Sequence, residues 1–137
     1  MLPFDIDTVI FCDDIRQERN GKWLLIGVYG ADILVRGLPA DLRLSLWIVI
    51  RPKEIGKAEA KLRVIGPHGS TLVDGELSVD VKHLRPTIMA MGALPMQIQM
   101  AGTIRVEMAT KESDEWTAIK SIDLRVAPRP STRAMSH

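Results

Sequence analysis

The sequence has little cysteine, few aromatic residues and almost no net charge. Cys12 is the only cysteine among 137 residues, so an internal disulfide is excluded and the chain is compatible with a reducing compartment. Eighteen basic residues face 17 acidic ones, for a net charge of +1. This balance lacks the broad basic footprint of a nucleic-acid-binding protein, and we expect no nucleic-acid partner.

Long apolar runs are also missing. The longest uncharged apolar stretch, WLLIGVYGA at 23–31, is far shorter than the roughly 18–20 residues that span a bilayer. The N-terminal MLPFDID has no basic region, so we expect no secretory signal. The sequence therefore predicts a cytoplasmic protein without a membrane partner.

Recognisable catalytic and cofactor motifs are absent from the sequence. It contains no phosphate-binding glycine loop, zinc-ligand spacing or G-x-S-x-G nucleophile elbow. Cys12 ends an apolar run, and no spacing places one of the three histidines beside it as a base, so a small core residue is the expected role. We expect no catalytic residue, no metal site and no cofactor, and we favour a protein that is not an enzyme.

Alternation of apolar and polar residues is the dominant pattern that is present. It predicts half-buried strands separated by turns, and no apolar stripe of helical period competes with it. The strands are centred on the segments DLRLSLWIVI, KLRVIG, ELSVDVK, MQIQM, TIRVEMA and SIDLRVA. We predict a two-sheet antiparallel β-sandwich of seven or eight strands, immunoglobulin-like, with a closed barrel as the alternative.

One domain accounts for the length and composition. We assign residues 1–127 to a single sandwich domain, because 46% hydrophobic content is ordinary for a globular protein. Residues 128–137 contain two prolines and no periodicity, and they are predicted to form a flexible tail.

The segment FCDDIRQERNGKWLLIGVYG, residues 11–30, concentrates the unusual features. Asn20-Gly21 predicts a two-residue type I′ turn, which would set Arg16 opposite Leu25 and let Arg16 pair with Glu18. Adjacent Asp13 and Asp14 point to opposite faces of a strand, so we expect one to cap a bulge and the other to be solvated.

Further residues of this segment complete a candidate functional cluster. Tyr29 is expected to bury its ring and to donate its hydroxyl to a backbone carbonyl. The candidate cluster consists of Asp13, Asp14, Arg16, Glu18, Lys22 and Tyr29.

The segment HLRPTIMAMGALPM, residues 83–96, is predicted to be a methionine-rich connection. Two interpretations remain open: it folds over an open end of the sandwich and fills it, which we favour, or it exposes apolar side chains to a partner. The candidate partner contacts are Trp23, Trp47, Ile88, Met89 and Met91.

The run Cys12–Glu18, followed by Gly21-Lys22 and by Leu25–Gly30, resembles the N-terminal signature of an uncharacterised bacterial family of small proteins. That signature has the form C-D-D-x-R-x-E…G-K…G-x-Y-G. The resemblance implies a small, mostly β, stand-alone protein and implies no activity.

Three functional hypotheses follow from the sequence. The first is a non-enzymatic protein-binding or assembly module with a protein partner or self-association. The second is a ligand-binding or hydrolytic protein that uses the cluster of Asp13, Asp14, Arg16 and Glu18, which should then converge in a pocket with at least one raised pKa. The third is a structural component of a phage-type assembly, by analogy of fold alone.

Overall fold

The protein, described here from a computed structural model, consists of β-strands arranged in two sheets. The structure describes residues 2–128, so the predicted tail lies, beyond Pro128, outside the described residues. The strands are β1 (Phe4–Gln17), β2 (Trp23–Val28), β3 (Asp32–Val35), β4 (Ala40–Pro52), β5 (Gly56–Ile65), β6 (Thr71–Val81), β7 (Thr87–Ile98), β8 (Gly102–Thr110) and β9 (Thr117–Val126).

The all-β architecture of two packed sheets is confirmed, but the strand count is higher than predicted. The first sheet has the order β2-β1-β4-β7 and the second the order β3-β9-β8-β5-β6, which makes nine strands within residues 2–128. The extra strands are β3, which has only four residues, and β7, which the sequence indicated as a connection.

One strand pair departs from the predicted antiparallel arrangement. β3 pairs with β9 in parallel, with Ile33 facing Leu124. β3 is reached from β2 by a short link that crosses from the first sheet to the second, and this crossing sets its direction. A four-residue strand gives too little alternation for a sequence pattern to reveal it.

The core lies between the inward rows of the two sheets. Along β4, the alternate residues Leu44, Leu46, Ile48 and Ile50 are buried, as the alternation predicted. The second sheet contributes Leu62, Val64, Ile104, Val106, Met108, Ile122 and Leu124. Strands of both sheets thus follow the two-residue period, and the sandwich excludes water from the apolar face of each sheet.

The methionine-rich segment forms a strand that contributes to this core. β7 pairs with β4 along its length, with Met89 facing Ile48 and Met96 facing Leu42. Met89 and Met96 are buried, which confirms that methionine fills the core, although the segment is a strand and not a cover over an open end. Prolines and a glycine obscured this strand in the sequence.

Candidate functional site

The most distinctive part of the fold is a two-stranded extension of the first sheet. β1 pairs with β4 only as far as Cys12, and from Cys12 onward it pairs with β2. Residues 13–28, which we call the hairpin arm, therefore comprise the end of β1, the connecting turn and β2. The candidate cluster from the sequence lies almost entirely on this arm.

The turn of the arm differs from the predicted two-residue type I′ turn. Glu18 N donates to Lys22 O at 2.7 Å and Gly21 N donates to Glu18 O at 2.9 Å, which closes a three-residue loop. Only Gly21 takes a left-handed conformation, with φ of +87°, whereas a type I′ turn would also require one at Asn20. Asn20 instead accepts from Lys22 N through Oδ1 at 3.0 Å.

The longer loop shifts the pairing by one residue. Arg16 faces Leu24 and Gln17 faces Trp23, so the predicted pairing of Arg16 with Leu25 is wrong. The predicted ion pair between Arg16 and Glu18 is also replaced, because Arg16 Nε donates to Asp14 Oδ2 at 2.9 Å.

The arm folds back over the outer face of the first sheet. Trp47 lies between Leu46 and Ile48, which are fully buried, so its ring points away from the core. The ring of Trp23, at the tip of the arm, meets that of Trp47 edge to face, with centroids 5.5 Å apart. The two tryptophans predicted as partner contacts therefore contact each other, and Trp23 remains 37% exposed.

Ser45 fastens the base of the arm. Its Oγ donates to Asp13 O on β1 at 3.2 Å and accepts from Ala93 N on β7 at 2.9 Å. Ala93 belongs to a bulge in β7 and has a positive φ of 52°, which aims its N–H at the serine. Ser45 thus connects three strands through one fully buried hydroxyl.

Burial under the arm also explains the state of Cys12. The thiol is fully buried, and burial, with the nearby charges of Asp13 and Asp14, raises the pKa of Cys12. A raised pKa disfavours the nucleophilic thiolate. The structure agrees with the predicted role as a core residue.

Asp13 belongs to a contact that crosses the arm. Its Oδ1 accepts a hydrogen bond from Tyr29 Oη at 2.5 Å, so the tyrosine donates to a carboxylate and not to the predicted backbone carbonyl. Its other oxygen lies against Gly27, which takes a left-handed φ of +67°. Burial and the Asp13 hydrogen bond raise the pKa of Tyr29 to about 12.

Asp14 forms a separate and more local arrangement. Oδ1 accepts from Ile15 N at 2.9 Å, and the hydrogen bond from Arg16 lowers the pKa of Asp14. The backbone bond resembles the predicted cap, but no bulge lies here: the irregularity of β1 falls between Ile6 and Thr8. The unusual residue is Gly27, on the facing strand.

The candidate cluster is therefore divided into two pairs, Asp13 with Tyr29 and Asp14 with Arg16. Glu18 and Lys22 are joined at the turn through their backbones. The raised pKa expected of a catalytic carboxylate is not found at Asp14, whose pKa moves in the opposite direction.

The outward surface of the arm carries exposed apolar side chains that the sequence analysis did not single out. Leu24, Ile26 and Val28, which we call the apolar row, are 45%, 40% and 56% exposed. They alternate along β2, which is the terminal strand of the first sheet. The continuous apolar run WLLIGV was the available signal, because a strand with one face in water would normally alternate.

Two other predicted contact residues lie on β7 and differ in exposure. Ile88 is exposed and faces Val49, whereas Met89 is buried and Met91 is half-buried against the core. Met89 therefore does not form a partner contact, because its side chain points into the sandwich.

The outer face of the second sheet has the opposite character. Glu107 accepts hydrogen bonds from Arg63 Nε at 2.7 Å and from Arg105 Nε at 3.0 Å. Burial alone would raise the pKa of Glu107, but the two arginines outweigh it and the pKa is lowered. Arg63 also lies 4.0 Å from the centroid of the Trp116 ring. Charged side chains thus neutralise one another across this face.

Cavities and ion-binding groups lie away from the arm or are absent. A groove of about 610 Å³ runs between the beginnings of β1 and β9 and is lined in part by Asp5, Asp7 and Lys53. Asp7 accepts from Arg51 at 2.9 Å, so this carboxylate is already paired. Within residues 2–128, no group of three His, Cys, Asp or Glu residues could hold a metal ion, and no helix is long and apolar enough to cross a membrane.

Comparison with protein families places this architecture. The family model described as a family of unknown function, DUF6941, matches residues 7–127, which include all strands after the first residues of β1. The chain belongs to the DUF6941 family. The match extends well beyond the N-terminal signature, and a small β-rich domain fits it. No curated protein matches the chain.

Proposed function

We propose that this DUF6941 domain is a non-enzymatic protein-binding or assembly module, of immunoglobulin-like type, that binds its partner through the apolar row of the hairpin arm. A bacterial, cytoplasmic setting is part of the proposal and rests on the N-terminal signature and on the single cysteine.

The exposed apolar row is the observation that carries the proposal. Leu24, Ile26 and Val28 lie side by side on the terminal strand, and Trp23 adds its exposed edge beside them. Contiguous apolar surface of this kind marks contact sites more often than isolated apolar residues do. The contrast with the charge-neutralised face of the second sheet gives the molecule one sticky side and one solvated side.

The size of the effect is sufficient for measurable binding. Full burial of an aliphatic side chain contributes about 1.5–3 kcal/mol, so covering three half-exposed ones contributes about 3 kcal/mol in total. That amount changes an affinity by roughly a hundredfold. Backbone hydrogen bonds to the free edge of β2 would add to it.

The anchoring of the arm supports the same proposal. The Trp23–Trp47 contact holds its tip, and the hydrogen bonds of Ser45 and of Asp13 with Tyr29 hold its base. A surface held rigid before binding loses less conformational entropy when a partner docks.

Site-specific photo-crosslinking in cells tests the proposal. A photoreactive phenylalanine analogue at position 26 is expected to give a defined adduct with a protein. The same analogue at position 34 is the matched control, because Leu34 is as exposed as Val28 but lies on β3 of the other sheet. Equal adduct formation at both positions, or none at position 26, would contradict the proposed binding surface.

A further inference from the structure

The four terminal strands of the two sheets are protected to different degrees. β7 contains Pro95 and the bulge at Ala93, β6 carries Asp74, Glu76 and Asp80, and β3 has only four residues. Prolines, bulges, charges and short length are the devices by which proteins prevent edge strands from pairing with other chains. β2 is six residues long, without a charge or a proline.

We propose that the edge of β2 pairs with β2 of a second copy of this chain, in antiparallel orientation about a two-fold axis. This inference rests on the proposed function, since it uses the same apolar row, and it names the occupant of that surface. The unprotected edge supplies free backbone donors and acceptors, and a two-fold axis lets one surface serve both copies.

The pattern of apolar residues is self-complementary in this orientation. If the pairing is centred at Leu25, Leu24 of one copy faces Ile26 of the other, and the reverse also holds. Residues that face each other across antiparallel strands lie on the same face of the sheet. The two apolar rows thus join into one continuous surface across the two-fold axis.

The charges of the arm are complementary in the same arrangement. The turn end is basic, with Arg19 and Lys22 exposed, and the carboxylate of Asp13 lies at the other end beside Gly27. Lys22 and Val28 are each three residues from Leu25, so Lys22 of one copy faces Val28 of the other, next to Gly27 and Asp13. Antiparallel pairing therefore sets opposite charges together twice, whereas parallel pairing would bring like charges together.

Sedimentation equilibrium of the purified full chain over a wide concentration range tests this inference. We expect a monomer–dimer equilibrium for the wild type. Ile26→Lys should weaken dimerisation at least tenfold, because it sets a charge against Leu24 of the second copy. The matched control Leu34→Lys places the same charge at an exposed apolar position on β3 and should leave the dimer unchanged.

A charge exchange tests the orientation separately. Lys22→Asp should weaken the dimer several-fold, and Lys22→Asp combined with Asp13→Lys should restore it, provided that thermal unfolding shows both variants folded. Failure of the double variant to restore association would overturn the antiparallel arrangement.

The outcomes separate this inference from the proposed function. A wild type that is monomeric at every concentration, or equal weakening by Ile26→Lys and Leu34→Lys, overturns pairing with a second copy. If position 26 then crosslinks to a different protein in cells, the binding surface stands and its occupant is another chain. An adduct of twice the chain mass supports self-pairing.

Discussion

Gly27 offers the sharpest test of how the hairpin arm is held together. Its φ of +67° lies in the left-handed region, which costs a residue with a Cβ about 1–2 kcal/mol. A Cβ at this position would also lie 2.8 Å from Cγ of Asp13, so the carboxylate must move. Displacing it weakens the hydrogen bond from Tyr29, and hydrogen bonds to charged groups contribute about 1.5–3 kcal/mol.

Gly27→Ala is therefore expected to lower the free energy of unfolding by about 3 kcal/mol. With an unfolding entropy of about 2.1 cal/mol/K per residue, this corresponds to a decrease in Tm of roughly 10 °C. Thermal unfolding followed by circular dichroism measures the change.

Two glycines nearby are controls that separate the components. Gly21 has a positive φ, but a Cβ added there would meet no neighbouring atom, so Gly21→Ala should cost only the conformational part, about 1–2 kcal/mol. Gly30 has neither constraint, and Gly30→Ala should change stability little. In an Asp13→Ala background, the cost of Gly27→Ala should fall to the level of Gly21→Ala. Equal effects of all three substitutions would refute the role assigned to the Asp13–Gly27 contact.

Three further predictions concern groups that the tertiary structure buries or pairs. Ser45→Ala should lower the free energy of unfolding by about 1–3 kcal/mol in urea titrations, because Ala93 N loses its acceptor, whereas Ser121→Ala on the surface should not. Tyr29 is the only tyrosine, so absorbance titration of the native protein should show ionisation near pH 12, and in Asp13→Ala the midpoint should move toward 10.0; an unchanged midpoint would contradict the contact. Glu107 has a pKa below its ordinary value of 4.5, so its contribution to stability should be complete above pH 4.5 and decline as the pH falls further; Glu107→Gln should flatten this dependence in acid unfolding curves, and an unaltered slope would argue against it.

The sequence was most informative where strands alternate regularly. In β4, β5, β8 and β9, the apolar positions at every second residue correspond to the buried side chains. The period of two requires one face in a core, and this alone implies packed sheets. The burial of Cys12 followed from the same pattern.

The hairpin arm shows where sequence reasoning reached its limit. Asn20-Gly21 correctly indicated a turn, but a two-residue and a three-residue loop use the same residues and differ by one position in register. Only the burial of side chains on both sides selects between them. The predicted pairs of Arg16 with Glu18 and of Arg16 with Leu25 were wrong for this reason.

The all-β class and most of the inward-facing rows could be read from the chain without its fold, because alternation is a local property. The strand order, the parallel pairing of β3 with β9 and the folding of the arm over Trp47 arise only in the folded molecule. These features depend on contacts between residues far apart in the chain, such as Ser45 with Asp13 and Ala93. A single hydroxyl that joins three strands leaves no trace in a local pattern, since its partners are backbone atoms that every residue carries.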